Sequence, residues 1–297
     1  MLEFVSSLGS GKSPVVEVGT VALLWLAMYQ GLKLCPRSWF GKLGIRHADA
    51  AEDKKQSYAL RSRFVGMIHA VLSLCLAVRT LFYDSKPLKA DKLFSYTPRS
   101  QFMVTVSSGF FTWDLGLCLT HLSIEGYGLL LHAAVCWLVS FTSATRQFLQ
   151  YHGSLLLFWE SSTLFLHVKW ALEQYKLKNT TVYIINGSAF MITFFLARVV
   201  MGFVVSFDLW ASIIPLFKRT DVSTFLKVLS VFAMAGNLGL SCLNLFWLRK
   251  MGKFVIKALK HAGLLGGESK GKGLAGAVGE LDDDAVLRDE TTGKKNE

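Results

Sequence analysis

Asp114, His132, Glu160 and Arg198 stand deep inside stretches of sequence that are otherwise apolar. In hydrocarbon each of them costs about 2.5 to 3.5 kcal/mol on insertion scales, so each needs a partner or a task. The chemistry such a set offers is proton transfer and acyl transfer. A neutral imidazole, with an unperturbed pKa of about 6.5, can take a proton or attack an activated acyl group. A carboxylate on a facing helix fixes its tautomer and stabilises the imidazolium. On this reading His132 is the reactive group and Asp114 or Glu160 its partner. The alternative is a strut, with Arg198 paired to Asp114 or Glu160 and holding helices together. His69, Arg79, His167 and Lys169 are further ionisable residues in apolar segments. The last three stand near expected segment ends, where long or amphipathic side chains snorkel to the interface.

Other chemistries lack their residue patterns. His47, His69, His121, His132, His152, His167 and His261 form no HxxxH or HxxHH pair, and neither CxxC nor HExxH occurs. No metal site is expected. The stretch GSGKS at 9–13 resembles the end of a phosphate loop, but Ser6 replaces the earlier glycine and no strand precedes it, so it reads as a flexible terminus. GxSxG is absent. Cys75, Cys118, Cys136 and Cys242 lie in apolar segments and read as small buried hydrophobes rather than a disulfide framework.

The elements that must position the polar set are membrane helices. Of the 297 residues 52% are hydrophobic and only 18% charged, below the roughly 25% usual in soluble domains. Seven stretches reach the roughly 20 apolar residues that a spanning helix requires: 16–35, 63–82, 101–122, 126–145, 147–175, 182–207 and 224–248. The gaps at 123–125 and around Arg146 are so short that the third to fifth must be tight neighbours, or one of them a partial span. The expected fold is therefore an all-α polytopic transmembrane helix bundle of about seven spans. Residues 1–62 form an N-terminal segment with the first helix and a basic loop, 63–249 the core domain of six helices, and 250–297 a mostly disordered tail. Met1 to Pro14 has neither a basic nor an apolar region of a cleavable signal, so the first span is expected to stay.

The net charge of +11 comes from lysines and arginines that lie mostly in the gaps between apolar stretches, which argues against a nucleic-acid partner. Basic residues collect after the first span, between the fifth and sixth, and after the seventh. The positive-inside rule thus puts the C-terminus in the cytosol and the N-terminus outside. Lys250 to Leu265 alternates lysines with Phe254, Ile256 and Leu259, either as a helix on an anionic membrane face or as the frayed end of the last span. Lys294 and Lys295 match a dilysine retrieval address of endoplasmic reticulum membrane proteins, which implies recognition by coat protein. Asn179-Thr180-Thr181 would face the cytosol, and Asn186-Gly187-Ser188 lies within a span, so neither is an expected glycosylation site.

The segments RFVGMIHAVLSL at 63–74, SSGFFTWDLGLCL at 107–119, LLLHAAVCW at 129–137, FWESSTLFLHVKW at 158–170 and FFLARVVMGF at 194–203 together resemble the TLC family. Its members include ceramide synthases and are mostly endoplasmic reticulum proteins with six helices around a central cavity. The resemblance implies that His69, Asp114, His132, Glu160 and Arg198 are family polar positions. His132, Asp114 and Glu160 are then the catalytic candidates, and His69, Trp113, Trp159 and Arg198 the substrate contacts. Ceramide synthases carry two adjacent histidines; here the second place is Ala133. Their later His-Asp pattern is replaced by Trp159, Glu160 and Ser161, as in the non-synthase branches. The function implied is binding of membrane lipid or acyl chains, without a cofactor, in lipid homeostasis or trafficking, with room for homo-oligomers. The alternative is N-acylation of sphingoid bases with acyl-CoA as substrate.

Overall fold

The computed structural model describes residues 13–34 and 50–261, together with positions 274, 276 and 278. Residues 35–49 of the expected basic loop, the GSGKS stretch apart from Ser13, most of the tail and the terminal dilysine lie outside the described residues, whereas 50–62, expected as loop, is helical. Among the described residues the chain is helical throughout, with no strand.

Helix α1, Pro14–Gly31, starts with proline in its first turn, where the missing N–H costs nothing. Val18, Val21, Trp25 and Tyr29 recur every three or four residues and are buried, while Leu23 and Leu24 are exposed. The buried stripe lies on α3, Pro98–Thr120. There a Cβ on Gly109 would come 2.5 Å from Val21 Cγ1, so the two helices approach as closely as a missing side chain permits.

Helix α2, Ala50–Ala90, runs 41 residues where the sequence predicts a 20-residue span. At 1.5 Å per residue it is about 60 Å long, twice a roughly 30 Å hydrocarbon core, so both ends project beyond the apolar middle. A capping box of Thr97 and Ser100 opens α3. Thr97 Oγ1 also donates to Asp84 Oδ2 at 2.6 Å, and Arg99 Nη1 to Asp84 Oδ1 at 2.9 Å, which fixes the α2–α3 turn. Helix α4, Leu122–Arg146, follows after His121 alone, and the expected gap at 123–125 is a helical turn that ends in a kink at Gly126, φ +77°. That angle lies in the region open mainly to glycine.

The segment expected as a fifth span is interrupted. Gln147 and Leu149 both adopt left-handed φ, and the chain continues as α5, Gln150–Leu156, a 3₁₀ turn Leu157–Trp159, and α6, Glu160–Gln174. Buried Gln150 holds the turn in place: it accepts from Ser100 Oγ at 2.6 Å and donates to Gln101 Oε1 at 2.6 Å. Helix α7, Thr181–Phe194, passes through a π-helical turn, Phe195–Val200, into α8, Met201–Ile213, and a 3₁₀ turn, Ile214–Lys218. Helix α9, Thr224–His261, continues 13 residues past the expected end at Leu248, so the lysine-rich stretch that follows is a helical extension as far as His261.

Five of these elements are long and apolar enough to cross a membrane: Lys54–Ala90, α3, α4, Thr181–Lys218 and Thr224–Lys260. The polarity is distributed as a lipid solvent demands. Leu23, Phe82, Phe207 and Phe246 are more than half exposed, whereas Ser100, Thr105, Ser108, Gln150 and Asn244 are buried. The turns before α3, α5 and α9 gather at one end, where Leu149 N–H donates to Leu93 O at 2.8 Å and Arg219 covers Phe94. The other end holds Tyr58, His121 and Glu125.

Candidate functional site

Two internal cavities meet at the polar set. The wider, about 660 Å³, has Tyr58, Arg63, Glu125 and Lys250 at its mouth and Asp114, His132, Glu160 and Arg198 at its inner end. The narrower, about 90 Å³, continues from His132, Trp159 and Glu160 toward Leu209 and His152. His132 and Glu160 line both.

Each inner residue is placed by a local feature of its helix. His132 stands on α4 above Cys136, with Nε2 3.6 Å from the thiol sulfur, and its ring lies 6.3 Å from that of Trp247 on α9. Glu160 opens α6 directly after the 3₁₀ turn, so the change of helical pitch sets its direction. Arg198 lies in the π-helical turn of FLARVV. Such a turn inserts an extra residue into the helix and is frequent at functional sites. Its guanidinium donates from Nε to Ser162 Oγ at 2.9 Å and from Nη2 to Thr163 Oγ1 at 3.1 Å. Among the described residues it has no carboxylate within ion-pair distance. Of the alternative strut of Arg198 with Asp114 or Glu160, only an electrostatic influence of Glu160 is present, and the direct hydrogen bonds go to hydroxyls on α6.

Asp114, His132 and Glu160 share the wall of one cavity, but no hydrogen bond joins any two of them among the described residues. The arrangement is an imidazole and two carboxylates around a space, open to a group brought in from outside. It can hold the polar end of a ligand or pass a proton to it. Trp159 lies beside it, buried, with the Arg198 guanidinium 5.9 Å from its ring centroid. His69 and Trp113 are elsewhere. His69 is fully buried between α1, α2 and α3, stacked on Phe110 at 3.7 Å and 3°. Trp113 packs on Tyr29 and Phe110. Neither lines either of these two cavities. Ala133, in the place of the second histidine, is fully buried and also off both cavities.

The structure adds residues that the spacing of polar positions did not single out. Ser162 and Thr163 carry Arg198, and the Ser-Ser-Thr run after Glu160 was the signal for them. His152, buried at the far end of the narrow cavity, lies with Nε2 3.1 Å from Asp208 Oδ2, and Asp208 also pairs with Lys92. His167 does not snorkel. Both its ring nitrogens are buried against α2, where a Cβ on Gly66 would come 2.8 Å from Nε2. Lys169 pairs with Glu173. Asn186 donates to Phe165 O at 3.0 Å inside the bundle, in keeping with an inaccessible sequon.

Residues 60–253 match the TLC domain. An uncharacterized TLC domain-containing protein of Schizosaccharomyces pombe is 30% identical over 200 residues, 67% of this chain and 66% of the relative, so the match spans about two thirds of that protein's length. Topoisomerase I damage affected protein 4 of Saccharomyces cerevisiae is 29% identical over 67% of this chain and 70% of its own. TLC domain-containing protein 4 A of Dictyostelium discoideum is 25% identical over 70% and 80%. None of these three is named as a ceramide synthase. The protein is a multi-helix membrane protein that belongs to the TLC domain family.

Proposed function

We propose that this protein binds a single-chain or acyl-bearing lipid in its helix bundle and acts in membrane lipid homeostasis or trafficking in the endoplasmic reticulum. The carrying observation is the wide cavity, about 660 Å³, with an apolar wall and a polar inner end at Asp114, His132, Glu160 and Arg198. Ligand sites have this form, mostly apolar with a few converging polar groups. The apolar wall takes the chain, and the inner polar groups exclude ligands that leave them unpaired. Lys294 and Lys295 support residence in the endoplasmic reticulum with a cytosolic C-terminus.

A second reading, N-acyl transfer from acyl-CoA to a sphingoid base, is favoured by one observation: His132 lines the cavity with both carboxylates on the same wall. His132 would attack the thioester and take the acyl group as an acyl-imidazole, releasing the CoA thiol, and the neutral amine would then attack the acyl carbon, displacing the imidazole, which takes up the amine's proton. Against it stand Ala133 in place of a second proton carrier and the absence of a His132–carboxylate hydrogen bond among the described residues.

Mass spectrometry of the purified full-length protein separates the readings. Lipid that copurifies at a defined stoichiometry, with no N-acyl product from sphingoid bases and acyl-CoA, supports lipid binding. Product that disappears in His132→Ala, in a variant that still folds, replaces it with the transferase. A protein free of lipid that also makes no product defeats both.

A further inference from the structure

The mouth of the wide cavity carries two cations, Arg63 and Lys250, that have no ion-pair partner among the described residues. Arg63 lies there on α2 with its guanidinium carbon 5.4 Å from the ring centroid of Trp170, and its Nε is buried without a hydrogen-bond partner among the described residues. His167 on α6, within electrostatic reach of Arg63, has both ring nitrogens buried and unpartnered. Lys250 on α9 completes the rim. A buried donor left unpaired costs about 1–3 kcal/mol, more when charged, so native structures pair nearly all of them.

The nearby carboxylates Glu125 and Glu173 act on Arg63 only through their field, because their hydrogen bonds go elsewhere. Glu125 accepts from Tyr58 Oη. Glu173 is held by Lys169 and by Tyr183 Oη at 2.8 Å. Arg63 has no carboxylate within ion-pair distance among the described residues, and Asp114 and Glu160 stand at the inner end. Inward of Arg63 the wall turns apolar with Phe110, Leu117, Leu129, Leu166, Phe190 and Phe194. The missing partner is thus an anion whose apolar remainder runs inward.

We propose that Arg63 and Lys250 form a binding site for the phosphate group of an amphiphile whose chain occupies the wide cavity, an inference that rests on the lipid-binding function proposed above. A planar guanidinium matches two phosphate oxygens in a fork. The Lys250 ammonium adds a point charge at the water-exposed rim. The phosphate belongs either to a lipid headgroup or to a nucleotide thioester of a fatty acid.

The test uses the full-length protein in maltoside micelles, free of phospholipid, with oleoyl lysophosphatidate and monooleoylglycerol as probes in equilibrium binding. The site predicts that lysophosphatidate binds about tenfold more tightly or better, the effect of a charge-assisted hydrogen-bonded contact. Arg63→Gln abolishes that preference while monooleoylglycerol binding stays. Lys250→Gln, at an exposed position that the fold does not need, reduces it. Equal binding of the two probes overturns the phosphate site and leaves the lipid-binding function standing, as does a preference untouched by both variants. Binding of neither probe overturns the function and the site together. Oleoyl-CoA and inorganic phosphate serve as competitors: Arg63-dependent displacement by oleoyl-CoA assigns the site to a nucleotide phosphate, and displacement by lysophosphatidate alone to a lipid headgroup, each in support of the site. Displacement by inorganic phosphate with no gain from either chain overturns it.

Discussion

Arg198 is held from one helix by hydroxyls of another, donating to Ser162 Oγ at 2.9 Å and Thr163 Oγ1 at 3.1 Å. Removing both acceptors strands a buried guanidinium, which costs the desolvation of each orphaned donor, about 1–3 kcal/mol apiece. The double variant Ser162→Ala/Thr163→Val should therefore lower the thermal midpoint of the purified protein more than Arg198→Met does, because methionine takes away the charge along with its needs. In the triple variant the losses should add to less than their sum. Additive losses would mean that the contacts carry no shared energy.

Contact between α1 and α3 rests on a missing side chain. A Cβ at Gly109 would lie 2.5 Å from Val21 Cγ1 and 3.0 Å from the Ala22 backbone nitrogen. Gly109→Ala should destabilise by about 1–3 kcal/mol, the usual cost of overpacking. Val21→Ala removes the nearer clash and should recover part of that loss, while the backbone contact keeps the rest. Thermal unfolding of the four members of this cycle measures the coupling, and a null coupling would place α1 elsewhere on the bundle.

Hydropathy length reveals the bundle because lipid leaves the backbone no partner but itself, so stretches such as those centred on α3 and α4 announce themselves. It does not reveal where they stop. Helices α2 and α9 continue into water on residues such as Lys54, Lys55, Lys253 and Lys257, which form helix readily but break any apolar window. The interrupted fifth segment is legible only as a weak span, because left-handed Gln147 and Leu149 carry no glycine signal and are held by the tertiary contacts of Gln150. At the site, Asp114, His132, Glu160 and Arg198 were visible as polar residues in apolar surroundings, and all four line the wide cavity. His69 looked the same in sequence and is packed in the core, because burial in a protein interior and burial in a cavity wall leave one signature. His167 was masked by its nearness to an expected segment end, where snorkelling is the usual outcome.

The Ala133 position bears on whether a second histidine could be restored. Ala133 is fully buried and lines neither cavity. Ala133→His adds a ring to a packed contact, so it should lower the thermal midpoint, by about 1–3 kcal/mol of stability, instead of adding a proton carrier. Incubation of this variant with sphingoid base and acyl-CoA should yield no gain of N-acyl product. A gain would show that the ring reaches the cavity after all and that the altered pair alone separates this chain from an acyltransferase.

Asp208 joins two side chains at the opposite end of the bundle, with His152 Nε2 at 3.1 Å on one oxygen and Lys92 on the other. The two partners differ in burial: His152 is 1% exposed and the Lys92 side chain 35%. Asp208→Asn weakens the His152 contact inside the protein, where water cannot replace it, and should cost about 1–3 kcal/mol. Lys92→Met breaks only a solvent-screened pair and should cost less than about 1 kcal/mol. The hydrogen bond to Asp208 holds the Lys92 ammonium above its usual range. A raised value means that the pair contributes fully below the unfolded-state pKa of about 10.5 and fades as pH climbs through the folded-state value. The difference in thermal midpoint between Lys92→Met and the unmodified protein should therefore stay flat from about pH 6 to pH 9 and shrink only in stronger alkali. A difference that already collapses near neutrality would assign the effect to a group other than Lys92.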